Sequence, residues 1–300
     1  MTDTKPILSV IITSMTPLHE IIPGLAPIIK QCQDQGMEII LACCSDSDRI
    51  NTVTTHYPNV ILLHLPSEAH LPRLLGVALA RATGQVIAIT DVTCEIDENW
   101  ISEILKAHQK SPPVIGGAVE PKGLRSLVAW AAYFCDYGQF MLPFAEGAVG
   151  EIPGNNISIK RWALERGKEV MKREFWKTHW CLTLQEKGIN LYAVPSIIVS
   201  YRKSFHFCQY LERRFHHGRC FGGMRAEKMS QGMRMVYSGF SPLLPILFCV
   251  RILRAVLPKR RYLCRLFLSF PIIIQATISW SLGELVGYLS GTGTSCRHVR

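Results

Sequence analysis

An α/β fold, a mixed and mostly parallel sheet with helices on both faces, is predicted for this 300-residue chain by three observations. Short apolar runs rich in β-branched residues recur through the first 120 residues. Stretches of helical period separate them. An excess of apolar residues gathers apart from these, after residue 240, and predicts appended hydrophobic helices.

The elements follow in order. ILSVIIT (7–13) reads as a core strand, residues 18–35 as an amphipathic helix, MEIILACC (37–44) as a second strand and NVILLHL (59–65) as a third. Residues 68–83 read as a helix that Gly84 ends, and QVIAIT (85–90) as a fourth strand. A βαβα order needs crossovers, so the strands run parallel and helices cover both faces. Residues 111–160 are turn-rich, with PPVIGGAVEP and EIPGNN. Residues 174–187 read as a helix, 190–201 as strand, turn, strand, and 206–231 as a long basic helix or a broken one.

Several function classes drop out. The turn after the first strand, TSMTPLHE, has no glycine, which disfavours a dinucleotide-binding enzyme. No GxxxxGK[ST] occurs, so a P-loop nucleotide hydrolase is excluded. The 11 cysteines include no CxxC pair, against a zinc ribbon or thioredoxin-like site, and they read as reduced thiols packed as small hydrophobes. The chain runs directly into its first strand without a basic start and long apolar run, so a cytoplasmic catalytic part is expected.

The net charge is +10, and much of it lies between Arg202 and Arg265 beside the apolar tail. That placement suits a membrane surface and a diphosphate ligand; no nucleic-acid motif is present, and no nucleic-acid partner is expected. The apolar stretches are FSPLLPILFCV (240–250), about half a span, and Leu266 to Leu282, a marginal one with Pro271 inside. Arg251, Arg254, Lys259, Arg260, Arg261 and Arg265 lie between and around them. A simple transmembrane hairpin would put this basic linker outside, so interfacial or re-entrant helices on the cytoplasmic leaflet are expected. A buried helix pair and a true hairpin stay open. The expected domains are residues 1–235 and a C-terminal membrane-associated helical segment, 236–300.

Over nearly its whole length the chain resembles glycosyltransferase family 2, through the order and spacing of its segments. LSVIIT matches the family's first strand and EIILACCSDSD its second strand with the following turn. PRLLGVALARATGQVIAITDVTCEIDENWI resembles the helix, glycine, strand and acidic motif that ends in a tryptophan. EIPGNNISIKRWAL resembles the acceptor-side segment, FWKTHWCLTLQEKGINLYAVPSIIVSY the segment carrying the catalytic base, and RRFHHGRCFGGMR with SLGELVGYLSG the end of a membrane-bound bacterial subset. The resemblance implies a GT-A-like nucleotide-binding fold, a nucleotide-sugar donor, and an inverting transfer. Such chemistry needs charge stabilisation at a leaving diphosphate and a carboxylate to accept the acceptor's proton.

The resemblance places Asp91 at the nucleotide-sugar and metal site, holding Mg²⁺ or Mn²⁺, with a turn or capping role as the alternative. Thr93 stands where a second acidic residue is usual; Glu95 and Asp97 are nearby carboxylates that could substitute or simply serve turns and caps. Cys43 and Cys44 replace acidic residues that read the base, which makes Asp46 the substitute. Thr13 and Arg73 are further nucleotide-sugar candidates, with a strand-end hydroxyl and a solvated helix arginine as the alternatives. Lys177 stands at the catalytic-base position, and Glu174, three residues earlier, becomes the candidate base or an ordinary first-turn acid. Asn155 and Asn156 line the acceptor side or form a turn. Arg213, Arg214 and Arg219 clamp the diphosphate or touch lipid headgroups.

The expected activity is transfer from a UDP-sugar or other nucleotide-sugar donor to a lipid-linked or cell-envelope glycan acceptor at the cytoplasmic face of the membrane. The departures at Cys43, Cys44, Thr93 and Lys177 keep a second reading open, a membrane scaffold with this fold and no catalysis. A nucleotidyl or phosphoryl transferase on a similar sheet is a third.

Overall fold

The computed structural model describes residues 6–15, 18–32, 36–44, 55, 57–110, 112–171 and 174–299. Two compact units share the chain: residues 1–122 with 142–202, and residues 123–141 with 203–300. The expected boundary at 235 falls inside the second unit.

The first unit is built on a sheet of nine strands among the described residues. β1 (Leu8–Ser14), α1 (Leu18–Cys32), β2 (Glu38–Cys43), β3 (Val60–His64), α2 (Leu71–Arg81) and β4 (Val86–Asp91) give the predicted alternation. β1 pairs in parallel with β2 and β4, and β2 with β3. β1 is buried along its whole length, as a central parallel strand covered on both faces should be. Gly84 is not the helix stop: α2 ends at Arg81. A Cβ at Gly84 would stand 2.5 Å from the Ser9 backbone nitrogen, so its absence lets the turn close onto β1.

The remaining elements of this unit are β5 (Cys94–Ile96), α3 (Trp100–Gln109), β6 (Val114–Pro121), β7 (Gly147–Val149), β8 (Ile157–Lys160), α5 (Arg161–Arg166), α6 (Lys177–Glu186) and β9 (Leu191–Tyr201); α4 (Leu127–Asp136) belongs to the second unit. The strand order is β3-β2-β1-β4-β8-β6-β9-β5, with β7 on β9. β8 runs antiparallel to both β4 and β6 and makes the sheet mixed. Residues 190–201 form one strand rather than two: a register shift opposite Gly117 and Ala118 absorbs the Pro195 region as a bulge. The helix expected from 174 begins at Lys177.

The second unit is helical: α4, α7 (Phe207–Ala226), α8 (Gln231–Phe240), α9 (Leu244–Val256) and α10 (Leu263–Ser290). The short run at 240–250 is part of a longer helical path, Gln231–Lys259, carried through Pro242 and Pro245 by a 3₁₀ turn. That path and Leu263–Ser290 are each long and apolar enough to cross a membrane. Cys220 and Cys296 form a disulfide, which corrects the expectation of reduced thiols throughout. Cys32, Cys43, Cys94 and Cys181 are buried, as small hydrophobes would be.

Candidate active site

In open α/β sheets ligands bind beyond the carboxyl ends of the parallel strands. β4 reaches that edge at Asp91, whose register partner on β1 is Thr13. The Val92 N–H donates to the Thr13 carbonyl at 3.2 Å, fixing the two strand ends side by side. Thr13 is buried. Asp91 Oδ1 accepts from the Thr93 N–H at 2.7 Å and from the Thr93 hydroxyl. Thr93 therefore orients the carboxylate rather than adding a second one. This is the turn that an aspartate at a strand end makes readily.

The flanking carboxylates are engaged elsewhere. Glu95 accepts from Lys122 at 2.8 Å and from Arg202 at 2.9 Å. The Lys122 hydrogen bond, with the two charges, holds it below the usual carboxylate range. Asp97 accepts from the Asn99 N–H at 3.1 Å, just ahead of α3. Among the described residues no three His, Cys, Asp or Glu side chains are grouped to hold a metal. Asp91 is the single carboxylate at the end of β4.

The segment 150–156 leads into β8, which is antiparallel to β4, so it lies along the same sheet edge. Asn155 donates to Cys94 Sγ at 3.0 Å, while its Oδ1 is buried without a partner. The Cys94 thiol is pushed well up by burial and by the nearby Asp91 carboxylate. Asn156 serves the fold: its amide donates to the Ala118 and Ile197 carbonyls at 2.8 and 2.9 Å and accepts from Trp100 Nε1 at 2.9 Å. Those bonds tie β6 to β9 beside the bulge.

The amino end of α2 follows β3 and reaches this edge too. Pro72 occupies its first turn, where a missing N–H costs nothing. Arg73 sits beside it, half-buried. The Phe175 N–H donates to the Pro72 carbonyl at 2.8 Å, which brings Glu174 to the same helix end. Glu174 Oε2 accepts from Trp176 Nε1 at 2.9 Å, and Oε1 lies 3.2 Å from His70 Nε2. Lys177 Nζ donates to the Ile152 carbonyl at 2.8 Å and lies 3.7 Å from Glu151 Oε1. Glu151 was missed in the sequence; only its place at the head of EIPGNN marked it.

The three arginines of α7, in the second unit, have separate partners. Arg213 stacks over Phe205, Arg214 is buried on Asp136 at 2.7 Å and over Trp280, and Arg219 donates to the Gly291 carbonyl at 3.2 Å. Asp46 lies outside the described residues.

A family model described as Glycosyl transferase family 2 matches residues 9–164, just over half of the chain. No curated protein matches it. Among solved structures, the mannosyltransferase PcManGT from Pyrobaculum calidifontis, in complex with GDP-Man and Mn²⁺, aligns with a TM-score of 0.56 at 15% identity, over 96% of this chain and 88% of that one. GalNAc-T7 with UDP, GalNAc and Mn²⁺ aligns with a TM-score of 0.47 at 14% identity, over 67% of this chain and 44% of that one. The mannosyltransferase likeness establishes the fold; the second is too distant to carry more.

Proposed function

The chain belongs to glycosyl transferase family 2 and has a GT-A-like fold, and from that premise we propose that it transfers a sugar from a nucleotide-sugar donor, UDP-linked by preference, to a lipid-linked or cell-envelope glycan. The observation that carries this reading is Asp91: a carboxylate at the carboxyl end of β4, level with Thr13 and oriented by Thr93. Asp91, Thr13 and Arg73 take the donor along this edge.

A hard divalent cation is often held by one or two carboxylates together with substrate phosphates. Asp91 fits that pattern as a half-site, because Thr93 donates to one carboxylate oxygen, and the donor's diphosphate would complete the coordination. Bound there, Mg²⁺ or Mn²⁺ would neutralise charge on the leaving diphosphate. Asn155 Oδ1, buried without a partner, supports a hydrogen bond to the acceptor on the same edge. Arg214 is taken by Asp136, Arg213 lies over Phe205 and Arg219 donates to Gly291.

We assign Glu174 as the base. Trp176 donates to one of its oxygens and His70 Nε2 lies 3.2 Å from the other, at the amino end of α2. In a single displacement the acceptor oxygen bonds to the anomeric carbon and its proton passes to Glu174. The bond to the diphosphate breaks on the opposite face, and the configuration inverts. Glu174→Gln is expected to lower transfer by about 10²–10⁴-fold and leave donor affinity unchanged. Radiolabelled-sugar transfer to a membrane lipid extract, read beside donor binding, checks this. Unchanged transfer removes Glu174 from the role.

Lys177 favours a second reading. A cation stands where the family resemblance expects a carboxylate, and it is engaged by Ile152 and Glu151. A scaffold would bind donor and transfer nothing with any UDP- or GDP-linked sugar.

We place the protein at the cytoplasmic face of the membrane, held there by its two long apolar helices.

A further inference from the structure

We infer that the two apolar helices do not cross the bilayer but lie along one leaflet, with the turn between them and both of their outer ends on the same face. The inference rests on the membrane placement above and adds how that membrane is engaged.

The first observation is exposure. Only 11% of the apolar window in Gln231–Lys259 is buried, and 39% of that in Leu263–Ser290. Phe240, Ile246 and Leu247 on the first path, and Phe267, Leu268 and Ile278 on the second, are exposed. Large exposed apolar faces of this kind mark a partner or a membrane.

The second is charge. The uncharged stretch between Arg234 and Arg251 is 16 residues and that between Arg265 and Glu284 is 18. At helical rise these reach about 24 and 27 Å, short of the roughly 30 Å of hydrocarbon. Exposed basic residues stand at both ends: Arg251, Arg254, Arg260 and Arg265 near the turn, Lys228 and Arg297 at the other. A spanning hairpin would carry one of these basic ends to the far side, against the positive-inside tendency. A helix pair lying in the interface puts both on anionic headgroups.

The third is how the turn is held. Arg260 and Tyr262 take left-handed backbone, with φ of 53° and 55°, and reverse the chain. The Tyr262 ring then packs on Trp130 at 4.9 Å. Lys259 Nζ donates to the carbonyls of Gln139, at 2.8 Å, and Met141, and Arg251 donates to Gln139 Oε1 at 3.0 Å. Met141 is bonded to Leu142, where the chain re-enters the sheet unit. Farther along, Ser279 donates to the Leu211 carbonyl at 2.7 Å, so α7, which follows β9 by a short link, starts beside the middle of α10. The turn and the middle of α10 are thus each fixed within the helical unit, the turn by Trp130, Gln139 and Met141 and mid-helix by Leu211.

The test uses the full-length protein. It should co-sediment with vesicles of phosphatidylcholine mixed with phosphatidylglycerol, at least about tenfold more tightly than with phosphatidylcholine alone. A membrane-impermeant maleimide on sealed inverted membrane vesicles, read by peptide mass, should label exposed Cys208 on α7 and exposed Cys264 beside the turn together, before detergent is added. Arg260→Cys should be labelled on the same side. If Cys264 and Arg260→Cys react only after detergent while Cys208 reacts before it, the one-leaflet arrangement is overturned and the membrane reading stands. If the protein sediments with no vesicle, the membrane reading itself fails.

Discussion

At the residue scale, His108 illustrates how burial converts into pH dependence. Its Nδ1 lies 3.1 Å from the Pro112 carbonyl and its Nε2 2.9 Å from Ser158 Oγ. A carbonyl only accepts, so the neutral ring donates from Nδ1 and accepts the Ser158 hydroxyl. Burial chiefly lowers the pKa from 6.5 to about 4, with Lys160 helping and the Pro112 bond opposing. The unfolded chain therefore binds the proton between pH 6.5 and 4 and the folded one does not. This contribution to stability is complete above pH 6.5 and is lost as pH falls toward 4, by up to about 3 kcal/mol. Thermal or denaturant unfolding across that range should show a shallower acid loss in His108→Gln than in wild type; parallel curves would contradict it. The sequence offered no sign of this residue, because a histidine on a helix face does not announce its partner fifty residues later in β8. Asp91 was legible because a strand pattern ended on it. Thr93's part, orienting Asp91, was not, since spacing alone does not say which hydroxyl turns back onto which carboxylate.

At the element scale, the tightest packing lies where α7 crosses α10. A Cβ at Gly218 would stand 2.1 Å from the Trp280 carbonyl oxygen, and one at Gly283 would stand 2.0 Å from that of Phe215. Gly222 and Gly287 repeat the approach one turn on, so the two backbones meet through small residues at a spacing of four. Gly283→Val should destabilise the second unit by about 1–3 kcal/mol or more, read as a lowered Tm in detergent, because the neighbour is backbone and has little room to yield. An unchanged Tm would mean the helices do not meet there. This crossing was hidden in the sequence, because the spacing of glycines within one helix does not say which other helix they meet. The early strands and helices were legible because each carries its own period. β9 was misread as two strands because Pro195 signals a turn, yet a bulge accommodates it within one. The helix through 231–259 was read short because only its apolar run, 240–250, was counted, while Pro242 and Pro245 at first-turn positions let the helical path continue.

At the scale of the whole molecule, a basic chain of net charge +10 combines a sheet unit whose strand β4 ends at Asp91 with a helical unit that presents an apolar face. The family membership and the fold follow from the sheet unit; donor, metal and acceptor remain the proposal. Calorimetry of the detergent-purified protein against UDP and a panel of UDP- and GDP-linked sugars, with and without Mn²⁺, tests that proposal most directly. The account predicts binding of one donor that Mn²⁺ strengthens at least about tenfold, an enhancement that Asp91→Asn removes while the variant keeps the wild-type Tm. Binding that is indifferent to both Mn²⁺ and Asp91→Asn would contradict the place given to Asp91, and no binding of any nucleotide sugar would contradict the function.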